Sequence, residues 1–469
     1  MACAIRFSSA HSLEFMNQPQ TIYETLAALD QPLQLKPAPP STGRIHVGFS
    51  GGLDSTVLLH WFAAQFPERV HAVHIHHGLQ PAADSWAEHC AAICAESGLD
   101  FSVIKVEVDR RSSAGPEAAA RQVRYAAFRG LMSAGDCLAT AHHRDDQAET
   151  LLLRLLRGTG IDGLAGMRAH VDLSPGTLWR PLLAFSRTEL RRYAEIHQLS
   201  WIDDPQNLDP RYTRSWLRAE VLPALQQRFP QLKNRLARTA SLAAEASDLL
   251  GELAAIDLAN AVRGDALSIE TLLSLSVPRR HNLLRFWLRT QGFEVPPADQ
   301  LPRIADEVLR ATLDASPQFG WPGCDLRRYR DRLFAMSPLL DVPQAWSATW
   351  TSGNELRLPA NGDRDHDANA DWLEAAQPPA QALTVRFPRE GERFKPAGGD
   401  HHRTLKNLFQ EAGVPPWIRS RTPVIECKGA IAAVAGLGAT EFWLQHRQAL
   451  IGSLHWRHRL RGAASPTAL

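Results

Sequence analysis

The stretch that most limits what this chain can fold into is Ser50-Gly51-Gly52-Leu53-Asp54-Ser55-Thr56, because of what flanks it. Arg44 to Phe49 places apolar residues at Ile45, Val47 and Phe49, the alternation of a buried strand. Val57 to Ala64 is apolar enough for a helix packed on a sheet, with Asp54 or Ser55 placed to cap its N-terminus. Strand, glycine turn and helix together aim several backbone N–H groups and the positive end of a helix dipole at one point, which suits a phosphate. Neither GxxxxGK followed by Ser or Thr nor GxGxxG occurs, so no Walker-type lysine is on offer.

Strand and helix then alternate. Strands are expected at 44–49, Val70 to His76, Phe101 to Val108 and Cys137 to Ala141, and helices near 54–66, 82–97, 116–133 and 145–157. That order predicts an α/β fold whose parallel sheet is covered by helices on both faces. Ligands of such sheets sit beyond the carboxyl ends of the strands. The second strand ends in His74, His76 and His77, which suit a nucleotide base or simple packing better than a metal, since no acid or cysteine stands at ligand spacing. Arg121 and Arg124 share a helix face and can neutralise phosphates or hold a carboxylate. The fourth strand ends in His142 and His143, followed by Asp146 and Glu149 at i, i+3 on one helix face. Two acids beside a phosphate turn can hold Mg²⁺, bind an ammonium group or accept a proton. N-terminal capping would need only one of them.

Ser50-Gly51-Gly52-x-Asp54-Ser55 resembles the PP-loop of the ATP pyrophosphatases, which cleave ATP between its α- and β-phosphates to adenylate a poor electrophile. The resemblance narrows further along the chain. His142-His143-x-x-Asp146-Gln147-Ala148-Glu149-Thr150 and Arg154 to Met167 resemble the tRNA(Ile)-lysidine synthetase family, as do Arg180-Pro181-Leu182-Leu183, Trp201 to Asn207 and Tyr212-x-Arg214. Phe394-Lys395-Pro396 and Lys406 to Trp417 extend the likeness to the C-terminal part, and Ser215 departs from the asparagine usual there.

This resemblance implies a PP-loop N-terminal domain, a helical domain that helps to grip tRNA and a small α+β C-terminal domain. It implies ATP and Mg²⁺, free L-lysine and a CAU-anticodon isoleucine tRNA, with a homodimer left open. On these positions Ser50, Gly51, Gly52, Leu53, Asp54, Ser55, Thr56, His76 and His142 would meet ATP, with Asp54 also a candidate Mg²⁺ ligand. Asp54, Arg121, Asp146 and Glu149 would carry the chemistry, and Arg214, Arg218, Lys406 and Trp417 would touch tRNA. Expected boundaries are an extension over 1–40, a catalytic domain over 41–220, a mainly helical domain over 221–345, a linker over 346–380 and a basic α+β domain over 381–460. Residues 1–15 precede a second methionine, Met16, and read as an extension or an alternative start.

Composition agrees. Hydrophobic residues at 44% and charged residues at 22% suit a soluble protein, and no run approaches the ~20 apolar residues that span a membrane. Six cysteines without a CxxC pair read as reduced thiols, so a cytoplasmic location is expected. The missing CxxC also weakens a PP-loop sulfurtransferase, the rival chemistry, which uses paired cysteines or a cluster. A noncatalytic ATP-sensing tRNA-binding protein is the other rival, and it predicts binding without AMP formation. Net charge is only +1, yet from 381 onward 13 Lys and Arg face 6 Asp and Glu, an excess of +7 that suits a polyanion.

Overall fold

A computed structural model describes residues 42–78, 82–109, 116–203, 213–312, 315–343, 345–353, 355–359, 371–375, 378–450, 454–457 and 467–468. The expected extension over 1–40, the run Asp204 to Tyr212 and most of the acidic stretch Asp363 to Asp371 lie outside them. Two compact units divide the chain, Met1–Asp248 and Leu249–Leu469.

The first unit is built on a six-stranded sheet. Its elements run β1 (Ile45–Gly48), α1 (Leu53–Gln65), β2 (Val70–His76), α2 (Ala83–Glu96), β3 (Asp100–Lys105), α3 (Pro116–Leu131), β4 (Cys137–Ala139) and α4 (Arg144–Leu156). The hairpin β5 (His170–Leu173) and β6 (Gly176–Trp179) follows, then α5 (Arg187–Ile196). Strand order is β3-β2-β1-β4-β6-β5, parallel except for the edge strand β5. The α/β expectation therefore holds, with β5 and β6 added beyond the four strands read from the sequence. Side-chain alternation explains why both faces are covered. Ile45, Val47, Ala72 and Ala139 join Leu58, Phe62 and Trp179 in one core, while Val73, Leu138 and Leu178 join Phe128 and Met132 in another.

Chain order reverses at β1, with β2 and β3 on one side and β4 on the other. Such a reversal opens a crevice at the carboxyl ends of the two central strands. The segments leaving β1 and β4 are the glycine turn and the His142–Glu149 run.

Away from that crevice the sheet carries a buried polar chain. His71 Nε2 lies 2.8 Å from Ser102 Oγ, His71 Nδ1 3.0 Å from His46 Nδ1, and His46 Nε2 3.1 Å from Asp136 Oδ2. Burial first, then His46 and Arg44, push the His71 pKa below the ordinary value against the pull of Asp100. Burial, aided by Arg124, His74 and His76, takes His77 down to about 4. A histidine with a lowered folded pKa binds more protons when unfolded, so its stabilisation is complete above about pH 6.5 and is lost as pH falls from there towards 4. Stability at pH 5 is accordingly expected to be roughly 1–3 kcal/mol below that at pH 7.5, read from urea midpoints, with a smaller drop in His77→Asn. Equal midpoints at the two pH values would contradict this.

Helices predominate over 221–345, as expected, with Leu222–Arg228 and Leu232–Ala261 the first of them, but the second unit adds a sheet that was not expected there. Helices Ile269–Ser274, Val277–Thr290 and Gln300–Ile304 are present, but they pack on a five-stranded sheet made of Val262–Arg263, Ala266–Ser268, Gln318–Trp321, Cys324–Tyr329 and Arg332–Met336. The strands are short and arginine-rich, and Arg330 at φ +54° makes the tight turn without glycine, so the usual hairpin signal is missing.

The expected linker 346–380 is also corrected. Ser347–Trp350 pairs with Leu383–Arg386 in a five-stranded C-terminal sheet, and Glu355–Leu358 pairs with Asp371–Ala375 in a four-stranded one. The C-terminal part is the expected α+β module, with Leu405, Leu408 and Phe409 of helix Leu405–Glu411 packed with Phe394, Val424 and Val434. No helix among the described residues is long and apolar enough to cross a membrane.

Candidate active site

The turn after β1 differs from expectation at its cap. Gly52 is the N-cap of α1 and makes no side-chain cap bond, while Asp54 and Ser55 stand inside the first turn. Ser55 Oγ accepts from Ser50 N at 3.2 Å and donates to Gly52 O at 2.9 Å, and Thr56 Oγ1 donates to Gly52 O at 3.0 Å. The hydroxyls thus hold the turn's shape and no side chain caps the helix dipole, the arrangement that receives an anion. Gly51 sits at φ +79°, and a Cβ there would lie 3.0 Å from Cys90 Sγ and 3.1 Å from Ile202 Cδ1. Ile202 N also donates to Gly51 O at 2.8 Å, so the Trp201–Asp203 segment fixes the turn from outside.

Opposite stands the N-terminus of α4. His143 caps it, accepting from Asp146 N at 3.3 Å, while Asp146 Oδ2 accepts from His143 N at 3.0 Å. Its Nε2 lies 3.5 Å from Asp54 Oδ2 and 3.4 Å from Asp146 Oδ2. Burial works against charge on this ring, but the Asp54 bond and the charges of Asp146, Asp54 and Asp145 outweigh it and raise its pKa. Asp54 Oδ1 is buried without a partner among the described residues.

Arg218 joins this cluster. Its Nε and Nη2 donate to Glu149 Oε1 at 2.7 Å and Oε2 at 3.0 Å, and Nη2 lies 3.3 Å from Asp146 Oδ1. The Glu149 side chain is 1% exposed. Burial raises the Glu149 pKa, and Arg218 only partly offsets that. A cavity of about 260 Å³ opens beside the acids, lined by His143, Asp145, Glu149, Arg187, Arg218 and Lys233 among others. Lys233 pairs there with Asp145.

A second cationic group surrounds His142. Its Nδ1 is 2.9 Å from Thr140 Oγ1, and burial followed by Arg180, Arg121, Arg214 and Arg124 takes its pKa to about 3, so the ring is neutral. Arg121 stacks over Tyr125 at 5.0 Å, and Arg214 reaches Thr150 Oγ1 at 3.5 Å. Arg154 has a different task, donating to Gly163 O at 3.0 Å and Gly166 O at 2.7 Å, while Gln147 clamps Met167 through both N and O. Much of the Arg154–Met167 likeness is therefore loop architecture.

The structure brings the Ser50–Thr56 turn, through Asp54, to Asp146 and Glu149, while the Leu53 side chain lies in the apolar core. His76 instead directs Nε2 at Asp84 Oδ1, 3.1 Å away, and His74 bonds Phe49 O at 3.0 Å. Arg218, read from the sequence as an RNA contact, faces the acids. His143 and Arg180 were missed as site residues. The His143-to-Asp146 spacing is that of a capping box and was the signal available for the first.

In the second unit Lys406 is exposed at the start of its helix. Trp417 is half-buried, edge-on to Phe334 at 5.5 Å and Tyr329 at 6.3 Å, with Arg327 over its ring at 5.7 Å. Among the C-terminal arginines, Arg386 is internal and pairs with Glu392 and Glu426, while Arg403 pairs with Glu411 at the surface.

Family models match three stretches: a PP-loop domain over 24–225, a TilS substrate binding domain over 267–334 and a TilS substrate C-terminal domain over 383–456. The tRNA(Ile)-lysidine synthase of Alkalilimnicola ehrlichii is 43% identical over 429 residues, which are 90% of this chain and 94% of that protein. The chain belongs to the tRNA(Ile)-lysidine synthase family. The tRNA(Ile)-lysidine synthase of Methylococcus capsulatus is 42% identical over 414 residues, 85% of this chain and 92% of that protein. Among solved structures, U34-tRNA thiolase NcsA from Methanococcus maripaludis is 16% identical with a TM-score of 0.37, covering 47% of this chain and 77% of that one. Membership of the lysidine synthase family bears out the resemblance read from the sequence and makes ATP the activating substrate.

Proposed function

We propose that this chain joins free L-lysine to C2 of the wobble cytidine in a CAU-anticodon isoleucine tRNA, at the expense of ATP. The observation that carries this reading is the junction of phosphate turn and acid pair at the ends of β1 and β4, in a chain of this family. Cytosine C2 is a weak electrophile and its oxygen a poor leaving group. Attack of that oxygen on the α-phosphorus expels pyrophosphate and gives an adenylated base. The lysine ε-amine then adds to C2, AMP departs with the former O2, and the amine's surplus protons pass to a base.

The Ser50–Thr56 turn and the α1 dipole would hold the phosphates. A single carboxylate with an unpaired buried oxygen, Asp54, fits an ion that takes its remaining oxygens from phosphates and water. Mg²⁺ held there would neutralise charge building on the departing pyrophosphate. Only roughly one lysine ε-amine in 10³ is neutral at pH 7. Asp146 and Glu149 would bind the ammonium and take its proton, displacing the Arg218 guanidinium that now occupies them, while Arg121 pairs with the lysine carboxylate. Neutral His142 is available to the nucleotide base, and Arg214 to the tRNA.

We assign catalysis to 41–220 and the grip on RNA to 221–345 and 381–460. Lys406→Ala is expected to weaken tRNA binding and lower its salt slope by about one. Arg386→Ala should instead destabilise the fold, since that side chain is buried between two glutamates. A Lys406→Ala protein with an unchanged slope would remove that lysine from the interface. The order of events is tested by pyrophosphate release in a single turnover. It should require the CAU tRNA and proceed without lysine, whereas release that needs lysine but no tRNA would point to activation of the amino acid and contradict the reading.

A further inference from the structure

We propose that His143 is a positioning residue for this reaction, setting the phosphate turn in register with the acid pair by acting through Asp54. The inference rests on the reading above, in which Asp54 faces the phosphates of ATP.

His143 is 2% exposed and does two things with one ring. Its Nδ1 accepts the Asp146 N–H, so the proton of the neutral ring sits on Nε2. Nε2 lies 3.5 Å from Asp54 Oδ2 and 3.4 Å from Asp146 Oδ2. Two carboxylates from different helices thus converge on one donor. Without it they would repel, since like charges at a shared site disfavour ionisation. Asp54 is then held by one oxygen, and its other, Oδ1, keeps no protein partner among the described residues. Asp146 is held by both its backbone and its side chain. The imidazole is therefore the link between the α1 turn that takes the phosphates and the α4 terminus that takes the amine. Groups of this kind, one step behind the reacting atoms, typically change metal affinity or activity by about 10–100-fold when removed.

Capping and bridging can be separated. His143→Asn keeps an N-cap acceptor for Asp146 N but is too short to reach Asp54. His143→Gln reaches further and loses the cap, and His143→Ala loses both. Binding of a non-hydrolysable ATP analogue with Mg²⁺, followed by calorimetry without lysine or tRNA, gives a readout independent of turnover. We expect His143→Asn to melt close to the parent protein yet bind the Mg²⁺-analogue complex about tenfold more weakly, with lysine transfer down by about 10–100-fold. His143→Gln should be less stable than His143→Asn but bind the complex more tightly than His143→Ala, which keeps the idea testable if the asparagine variant does not fold. On an Asp54→Asn background, His143→Asn should add little, because both act at one contact. Parent-like analogue binding by His143→Asn, or full additivity with Asp54→Asn, would overturn the proposal and leave His143 as a cap alone. Failure of the function reading would appear separately, as absence of lysine transfer in the parent protein.

Discussion

An Arg218→Ala protein is expected to lose about 3–5 kcal/mol of stability at neutral pH, because it strands a buried carboxylate. Arg218 satisfies both oxygens of Glu149, whose side chain is 1% exposed, and also touches Asp146. Burial already raises the Glu149 pKa, and removing the guanidinium takes away what lowers it. The orphaned acid must either stay charged in a poor environment or take a proton. Replacing the carboxylate as well, in Arg218→Ala with Glu149→Gln, should recover part of the loss, since an amide carries no charge to strand. Urea midpoints of the two single variants and the double variant measure this. A single Arg218→Ala variant as stable as its parent would mean that the pair contributes nothing to the fold.

Asp54→Ala is expected to show the opposite division, with turnover down about 10³-fold and stability changed by less than about 1 kcal/mol. Its carboxylate lies in the first turn of α1, where it gains modestly from the helix dipole and stands 3.5 Å from His143 Nε2. Its other oxygen is buried without a hydrogen-bond partner among the described residues, so the fold gains little from it. The reaction asks more, because charge accumulates on pyrophosphate beside this position. Pyrophosphate release within tenfold of the parent rate would remove Asp54 from the chemistry.

Much of the first unit was legible because each level of the sequence pointed the same way. Ile45, Val47 and Phe49 alternate, two glycines follow, and an apolar helix begins, so strand, turn and helix were readable without any partner in view. The acid pair was legible for a similar reason, since i, i+3 spacing fixes a shared face. What failed were contacts made across the chain. Arg218 lies 69 residues beyond Glu149, and nothing local distinguishes it from an arginine on an open RNA-binding surface. The basic C-terminal balance likewise does not say which arginines face outward, since Arg386 is buried between Glu392 and Glu426 while Arg403 pairs with Glu411. The sheet within 262–336 and the strands inside the expected linker were hidden by shortness. Runs of 2–6 residues such as Val262–Arg263 and Glu355–Leu358 become strands through their partners, and period-two alternation cannot be recognised over so few positions.

The central claim is that this site transfers lysine to an adenylated cytidine, and the most direct measurement is on the product. Purified protein is incubated with ATP, Mg²⁺, radiolabelled L-lysine and a CAU-anticodon isoleucine tRNA, and the tRNA is digested to nucleosides. The account predicts label in a single nucleoside, the wobble cytidine, with one AMP and one pyrophosphate formed per lysine fixed. Release of AMP and pyrophosphate with no label in the tRNA would contradict it, and would leave an adenylating enzyme that serves another nucleophile.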